Sequence, residues 1–220
     1  MNTQRILISL VVLSGSVVSR AGVITYSQAV PLTVTDWDAT ISLPKFDGSL
    51  GKLTSVSFLL RGTVIGDAQF ENKSKNAANV TLEFDSLISL TAPDGTLLIT
   101  TLPLFSKTEN VAKYDGVFDF GGTSGRTYAG LSAEKTVTSS GTTSYNSIFE
   151  GAGSIDLDVS SVSTSKATGP GNLASSFDTL SAAYAEVTYN YENPVPEPAS
   201  MAALGFGAFA FFRRKKKNSN

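Results

Sequence analysis

Through most of the chain, apolar and polar residues alternate with a period of two. Val56, Phe58 and Leu60 alternate with Ser55, Ser57 and Leu59, and Val80, Leu82 and Phe84 with Thr81, Glu83 and Asp85. Ala183, Ala185, Val187, Tyr189 and Tyr191 take one strand face, and Tyr184, Glu186, Thr188 and Asn190 the other. Successive side chains of a strand point to opposite sides, so this pattern predicts half-buried strands of an antiparallel sheet. Turn residues punctuate the runs. Pro93-Asp94-Gly95, between Leu87–Leu90 and Leu97–Leu102, predicts a hairpin. Asp47-Gly48-Ser49, Gly121-Gly122-Thr123-Ser124-Gly125 and Gly169-Pro170-Gly171-Asn172 predict further loops. No window of ten or more residues between 22 and 194 keeps a capped helical period. The expected fold is all-β, an antiparallel β-sandwich, with jelly-roll and immunoglobulin-like topologies both open.

Both ends break the pattern. Arg5 followed by the apolar run Ile6–Val18 and by Ser19-Arg20-Ala21 reads as a signal peptide over 1–21, forming an N-terminal signal helix, with signal peptidase cutting between Ala21 and Gly22. A Pro-rich linker spans 193–198. A 14-residue apolar stretch, Ala199–Phe212, follows, and then Arg213, Arg214, Lys215, Lys216 and Lys217. As a helix the stretch would reach ~21 Å against a hydrocarbon core of ~30 Å. It predicts a short C-terminal hydrophobic helix over 199–220 with its basic tail on the cytoplasmic side.

These ends change the charge picture. The whole chain carries −2, yet residues 22–194 hold 10 Lys or Arg against 18 Asp or Glu, leaving −8. An acidic domain repels nucleic acid, so no nucleic-acid partner is expected. The chain has no Cys and no His. Ser-His-Asp and Cys-His catalysis, the usual zinc sites and His-ligated haem are thereby removed, leaving carboxylate-pair hydrolysis as the main surviving enzyme class. Without disulfides, the domain 22–192 must rely on its apolar core, which its length allows.

Val195-Pro196-Glu197-Pro198, a short apolar segment and a basic cluster, in that order, resemble the PEP-CTERM sorting domain of Gram-negative bacteria. The resemblance implies that Pro196, Glu197 and Pro198 are recognised by an exosortase-like membrane enzyme. It also implies export, passing retention in the inner membrane, then processing and delivery to the surface. Elsewhere, Tyr26 with Pro31-Leu32-Thr33, Trp37, Leu43-Pro44-Lys45-Phe46-Asp47, Phe70-Glu71-Asn72 and Phe118-Asp119-Phe120-Gly121-Gly122-Thr123-Ser124-Gly125 resemble a type E choice-of-anchor domain. That is a bacterial surface module found with different C-terminal anchors, and it implies no catalytic residue or ligand.

Within the domain a few clusters invite chemistry. Asp36 and Asp38 flank Trp37, and Asp156 and Asp158 flank Leu157. On strands each pair would point one way, offering weak candidate ligands for calcium; solvated strand faces explain them equally well. Asp115 and Asp119 beside the Gly-rich loop make a third oxygen-rich spot. The same carboxylates are the only glycosidase candidates. Trp37, Tyr184, Tyr189 and Tyr191 are candidates to stack on sugar rings, or else core residues. Gly121–Arg126 lacks the lysine of a phosphate-binding loop and reads as a turn. Asn72-Lys73-Ser74 and Asn79-Val80-Thr81 fit the glycosylation sequon, a chance match in a bacterial chain. The expected function is that of an exported, non-catalytic surface or matrix protein that contributes to biofilm and touches extracellular polysaccharide. The alternatives are a carbohydrate- or calcium-binding module and, behind it, a carboxylate hydrolase.

Overall fold

The computed structural model describes residues 21–194. The predicted signal helix and C-terminal helix, with Pro196, Glu197, Pro198 and Arg213 to Lys217, lie outside the described residues.

Among the described residues nine strands follow one another: β1 (Ala21–Val34), β2 (Trp37–Pro44), β3 (Lys52–Asn72), β4 (Ala78–Thr91), β5 (Leu97–Thr101), β6 (Leu104–Val111), β7 (Gly125–Thr138), β8 (Ser154–Thr168) and β9 (Leu173–Glu192). One turn of α-helix, α1 (Asn146–Phe149), and a 3-10 turn at Gly48–Leu50 complete the described elements. One sheet has the order β1-β9-β3-β7. The other has β2-β8-β4-β5, with β6 also on β4.

The pairing is nested. β1 pairs with β9, β2 with β8, β3 with β7, and β4 with both β5 and β6, all antiparallel. A single long hairpin rolled around a core gives this arrangement, and the chain changes sheet at every connection except β4–β5 and β5–β6. Of the two topologies left open by the alternation, this is the jelly roll, not the immunoglobulin type.

The predicted faces hold. Val56, Phe58 and Leu60 on β3, Val80, Leu82 and Phe84 on β4, and Ala183, Ala185, Val187 and Tyr189 on β9 are all buried. The Pro93–Gly95 hairpin forms as predicted: Gly95 adopts φ 83°, and the Thr96 amide donates to Asp94 Oδ1 at 2.9 Å. Between the sheets lie a main core and a smaller cluster of Ala68, Phe70, Val80, Leu82 and Val111.

One polar chain crosses the main core. Trp37 Nε1 donates to Ser181 Oγ at 2.7 Å, Ser181 Oγ meets Ser161 Oγ at 2.6 Å, and Ser161 Oγ meets Ser86 Oγ at 2.7 Å. All three serines are buried, so each hydroxyl depends on its neighbours for partners. Ser161→Ala removes the middle link and strands two hydroxyls. It is expected to cost about 1–3 kcal/mol in urea unfolding; an unchanged midpoint would show that the neighbours re-pair without it.

Candidate functional site: the two poles of the sandwich

The sandwich has two ends, and they differ. At the first, the described chain begins and ends. Ala21 is the Cα partner of Glu192, and Lys52 pairs with Glu192 from the other side. Ala21, placed by the sequence before the signal-peptidase cut, is thus already the first residue of β1. The turn at 47–51 leans on the departing chain: Gly51 (φ 147°) packs so closely that a Cβ there would overlap the Glu192 carbonyl oxygen. Asp47 caps this turn by accepting from the Ser49 amide at 2.9 Å, and that bond holds its carboxyl below the usual range.

Beneath this terminal pole lies an aromatic plug. Phe46 sits 5.2 Å from Tyr191 and 5.9 Å from Tyr189, centroid to centroid, while Phe58 sits 5.3 Å from Phe149 and 5.5 Å from Tyr145. Tyr189 is buried and donates its hydroxyl to the Pro44 carbonyl at 2.9 Å. Burial, and then the nearby Tyr26, pushes its hydroxyl pKa up. The sugar-stacking candidates are therefore placed by packing. Trp37 and Tyr189 belong to the core, and Tyr191 packs partly buried against it. Tyr184 lies under the Arg61 guanidinium, 4.9 Å from its ring centre.

The carboxylate pairs divide. Asp36 is not on a strand, as its spacing from Asp38 suggested; it lies in the bend between β1 and β2 and accepts from the Ser163 amide at 2.6 Å. The Asp36/Asp38 pair is thereby broken up. Asp156 and Asp158 do share the outer face of β8, opposite Ser42 and Thr40. Thr40 donates to Asp158 at 3.1 Å, and Asp38 lines the same shallow depression as Asp158. Among the described residues no three acidic side chains converge on a common point as metal ligands would.

The opposite, distal pole gathers the turns at 73–77, 112–124 and 169–172. Here two stretches of the type E resemblance meet. The Asn72 amide donates to the Ser124 carbonyl at 3.0 Å, and Glu71 pairs with Gly125 across β3 and β7. Asn72 is buried and spends its side-chain amide on the carbonyls of Ala112 and Asn76, so the first sequon is closed inside the fold. Asp115 accepts from the Val117 and Thr123 amides and Asp119 from the Gly121 amide, so these acids tie the loop. The Val117 amide holds the Asp115 carboxyl below its ordinary range. The loop's tip exposes Val117 (57 %) and Phe118 (53 %), and the Phe118 ring lies 4.8 Å from that of Phe120, tilted 55° to it; the φ of Phe120 is 54°. Glu71 is buried beneath this loop, and neither carboxylate oxygen has a partner within the described chain. Nothing local marks Glu71, because a charged residue at an outward strand position ordinarily meets water.

Several comparisons bear on the chain. Two solved structures illustrate the structural likeness. One, of infectious bursal disease virus Gx strain, is 16 % identical with a TM-score of 0.19, matching 90 % of this chain and 50 % of its own. Another, of the same virus's VP2 subviral particle, is 16 % identical with a TM-score of 0.21, matching 86 % and 42 %. The chain thus spans about half the length of these structures or less. No curated protein matches it. Residues 194–217 match the PEP-CTERM protein-sorting motif, which supports export through an exosortase-type system with passing membrane anchoring of the C-terminus.

Proposed function

We propose that this protein is an exported surface or matrix component with no catalytic role. Signal peptidase cuts between Ala21 and Gly22. The C-terminal segment then holds the protein in the inner membrane until an exosortase-like enzyme processes it at the Pro196-Glu197-Pro198 triplet. The released sandwich, a type E choice-of-anchor domain, serves outside the cell as a structural or adhesive part of an exopolysaccharide or biofilm matrix.

The observation that carries this reading is the sorting motif at 194–217, directly after β9 ends at Glu192. The residue inventory supports the non-catalytic part, since a chain without His or Cys has few nucleophile–base pairs to build from. The burial of Trp37 and Tyr189 supports a structural role for the aromatic residues over a sugar-binding platform.

Replacing Pro196, Glu197 and Pro198 by alanine tests the sorting step in cells that carry the processing enzyme. The variant is expected to accumulate as unprocessed precursor in the membrane fraction, while a chain ending at 194 appears as soluble exported protein. Release of the triple variant at the wild-type rate would overturn the reading.

A further inference from the structure

We infer that the membrane-retained protein stands upright, with its terminal pole against the lipid surface and its distal aromatic loop as the outermost point. This orientation rests on the retention reading above and adds to it a geometry that the fold imposes.

Three observations carry it. The first is where the chain leaves the body. Ala21 and Glu192 are direct strand partners, so the predicted signal segment and the sorting segment depart side by side from one pole. Before the cut after Ala21 both segments hold the same end, and after it the sorting segment alone still holds that end.

The second is length. Only five residue steps separate Pro194, the last described residue, from Ala199, where the apolar stretch begins. At a maximum of ~3.5 Å per residue these reach no more than ~18 Å in any conformation. The headgroup layer takes up ~6 Å of that on each side of the bilayer. The terminal pole is therefore confined close above the headgroups. β3 runs the length of the body, 21 residues from Lys52 to Asn72. At ~3.3 Å per residue it places the distal pole about 60–70 Å away. The tether is too short for the distal pole to reach lipid unless the whole body lies down.

The third observation is charge, which opposes lying down. One broad face presents exposed Asp38, Asp156 and Asp158; the other presents Asp67 directly opposite Asp178, both exposed. The domain as a whole carries −8. An anionic lipid surface repels either face. The terminal pole is close to balanced, with Lys45 and Lys52 beside Asp47, Glu150 and Glu192. Upright, the body keeps both acidic faces off the lipid and displays Val117 and Phe118 farthest out, on a distal pole where exposed Lys73, Lys75 and Lys113 stand with Asp115 and Asp119.

The chain has no cysteine, so single-cysteine probes are clean. Full-length protein carrying a donor dye at Ser49→Cys (terminal pole) or Val117→Cys (distal loop) is reconstituted into phosphatidylethanolamine–phosphatidylglycerol vesicles with a headgroup-attached acceptor. Both sites are solvent-exposed, and Leu50→Cys with Phe118→Cys forms a second pair should either variant misfold. The expected result is loss of most donor emission at position 49 or 50 and several-fold weaker transfer at 117 or 118. Equal transfer from both poles would mean a body lying flat and would overturn the inference. So would no transfer from either pole while the protein still floats with vesicles. Protein that fails to float with vesicles at all would sink the retention reading itself, and this orientation with it.

Discussion

Replacing Phe149 by alanine is expected to lower the unfolding free energy by about 3–5 kcal/mol, the range for emptying a buried aromatic site. Phe149 has no exposed surface. Its ring sits 5.3 Å from Phe58 and 6.3 Å from Tyr189, centroid to centroid. The helix that carries it is four residues long, far too short to hold itself together. What fixes α1 is the ring in the plug, the Asn146 side chain donating to the Leu53 carbonyl at 3.0 Å, and the Phe46 amide donating to the Phe149 carbonyl at 2.8 Å. Removing the ring empties the plug and frees the segment that closes the terminal pole. Domains of this kind hold ~5–15 kcal/mol in total, so the variant should stay folded at low temperature with a clearly lower urea midpoint. Phe149→Leu, which refills most of the space, should recover the greater part of the loss. A loss below about 1 kcal/mol for the alanine variant would mean that the neighbouring rings close over the gap, contrary to the scale for rigid cores.

How much of this was legible beforehand depends on how local each signal is. Alternation is local, and it placed the buried faces of β3, β4 and β9 correctly. The choice between jelly roll and immunoglobulin topology was not local: it turns on pairs such as Ala21 with Glu192, which no short window contains. Leu97–Leu102 reads as one apolar run, yet β5 stops at Thr101 and β6 starts afresh at Leu104. Pro103 between them has no amide to give a ladder, and its carbonyl instead accepts from the Ser86 amide at 3.2 Å. Asp36 looked like the strand partner of Asp38 because spacing alone cannot show that the chain bends at Thr35–Asp36. Trp37 was ambiguous for another reason: alternation gives a residue's face, not which face is inside. Its indole N–H settles into the buried serine chain, a partner set drawn from β4, β8 and β9.

The nested pairing also constrains when the fold can close. β9 is made last, yet it is central in its sheet, with β1 on one side and β3 on the other. That sheet cannot assemble before residues 173–192 are available. In an exported chain this means after those residues have crossed the membrane, with the sorting segment immediately behind them. Strand pairing at such sequence separation is slow to form, because loop closure is paid for before contacts reward it. Retention by the C-terminal segment would keep the chain at the membrane during that interval.

The distal pole gives the second large prediction. Gly125→Ala is expected to cost about 2–4 kcal/mol, at or beyond the usual range for overpacking. A Cβ at Gly125 would overlap Glu71 Oε2 and come within 2.5 Å of the Gly121 nitrogen and 2.6 Å of the Phe120 carbonyl carbon. The last two are backbone atoms of a loop held in place by the Gly125 amide donating to the Gly121 carbonyl and by Thr127 donating to the Phe120 carbonyl. Neither can swing aside as a side chain would. The methyl must therefore lift the loop from β7 and expose the buried Glu71. Gly171→Ala is the control: its Cβ meets no atom within 4 Å, so the change should be neutral or stabilising by up to ~1 kcal/mol through the unfolded chain's lost freedom. Adding Glu71→Ala to Gly125→Ala relieves one of the three overlaps and leaves both backbone ones. The double variant should remain well below wild type in thermal unfolding; full recovery would place the whole clash on the carboxylate and refute the role given to the loop backbone.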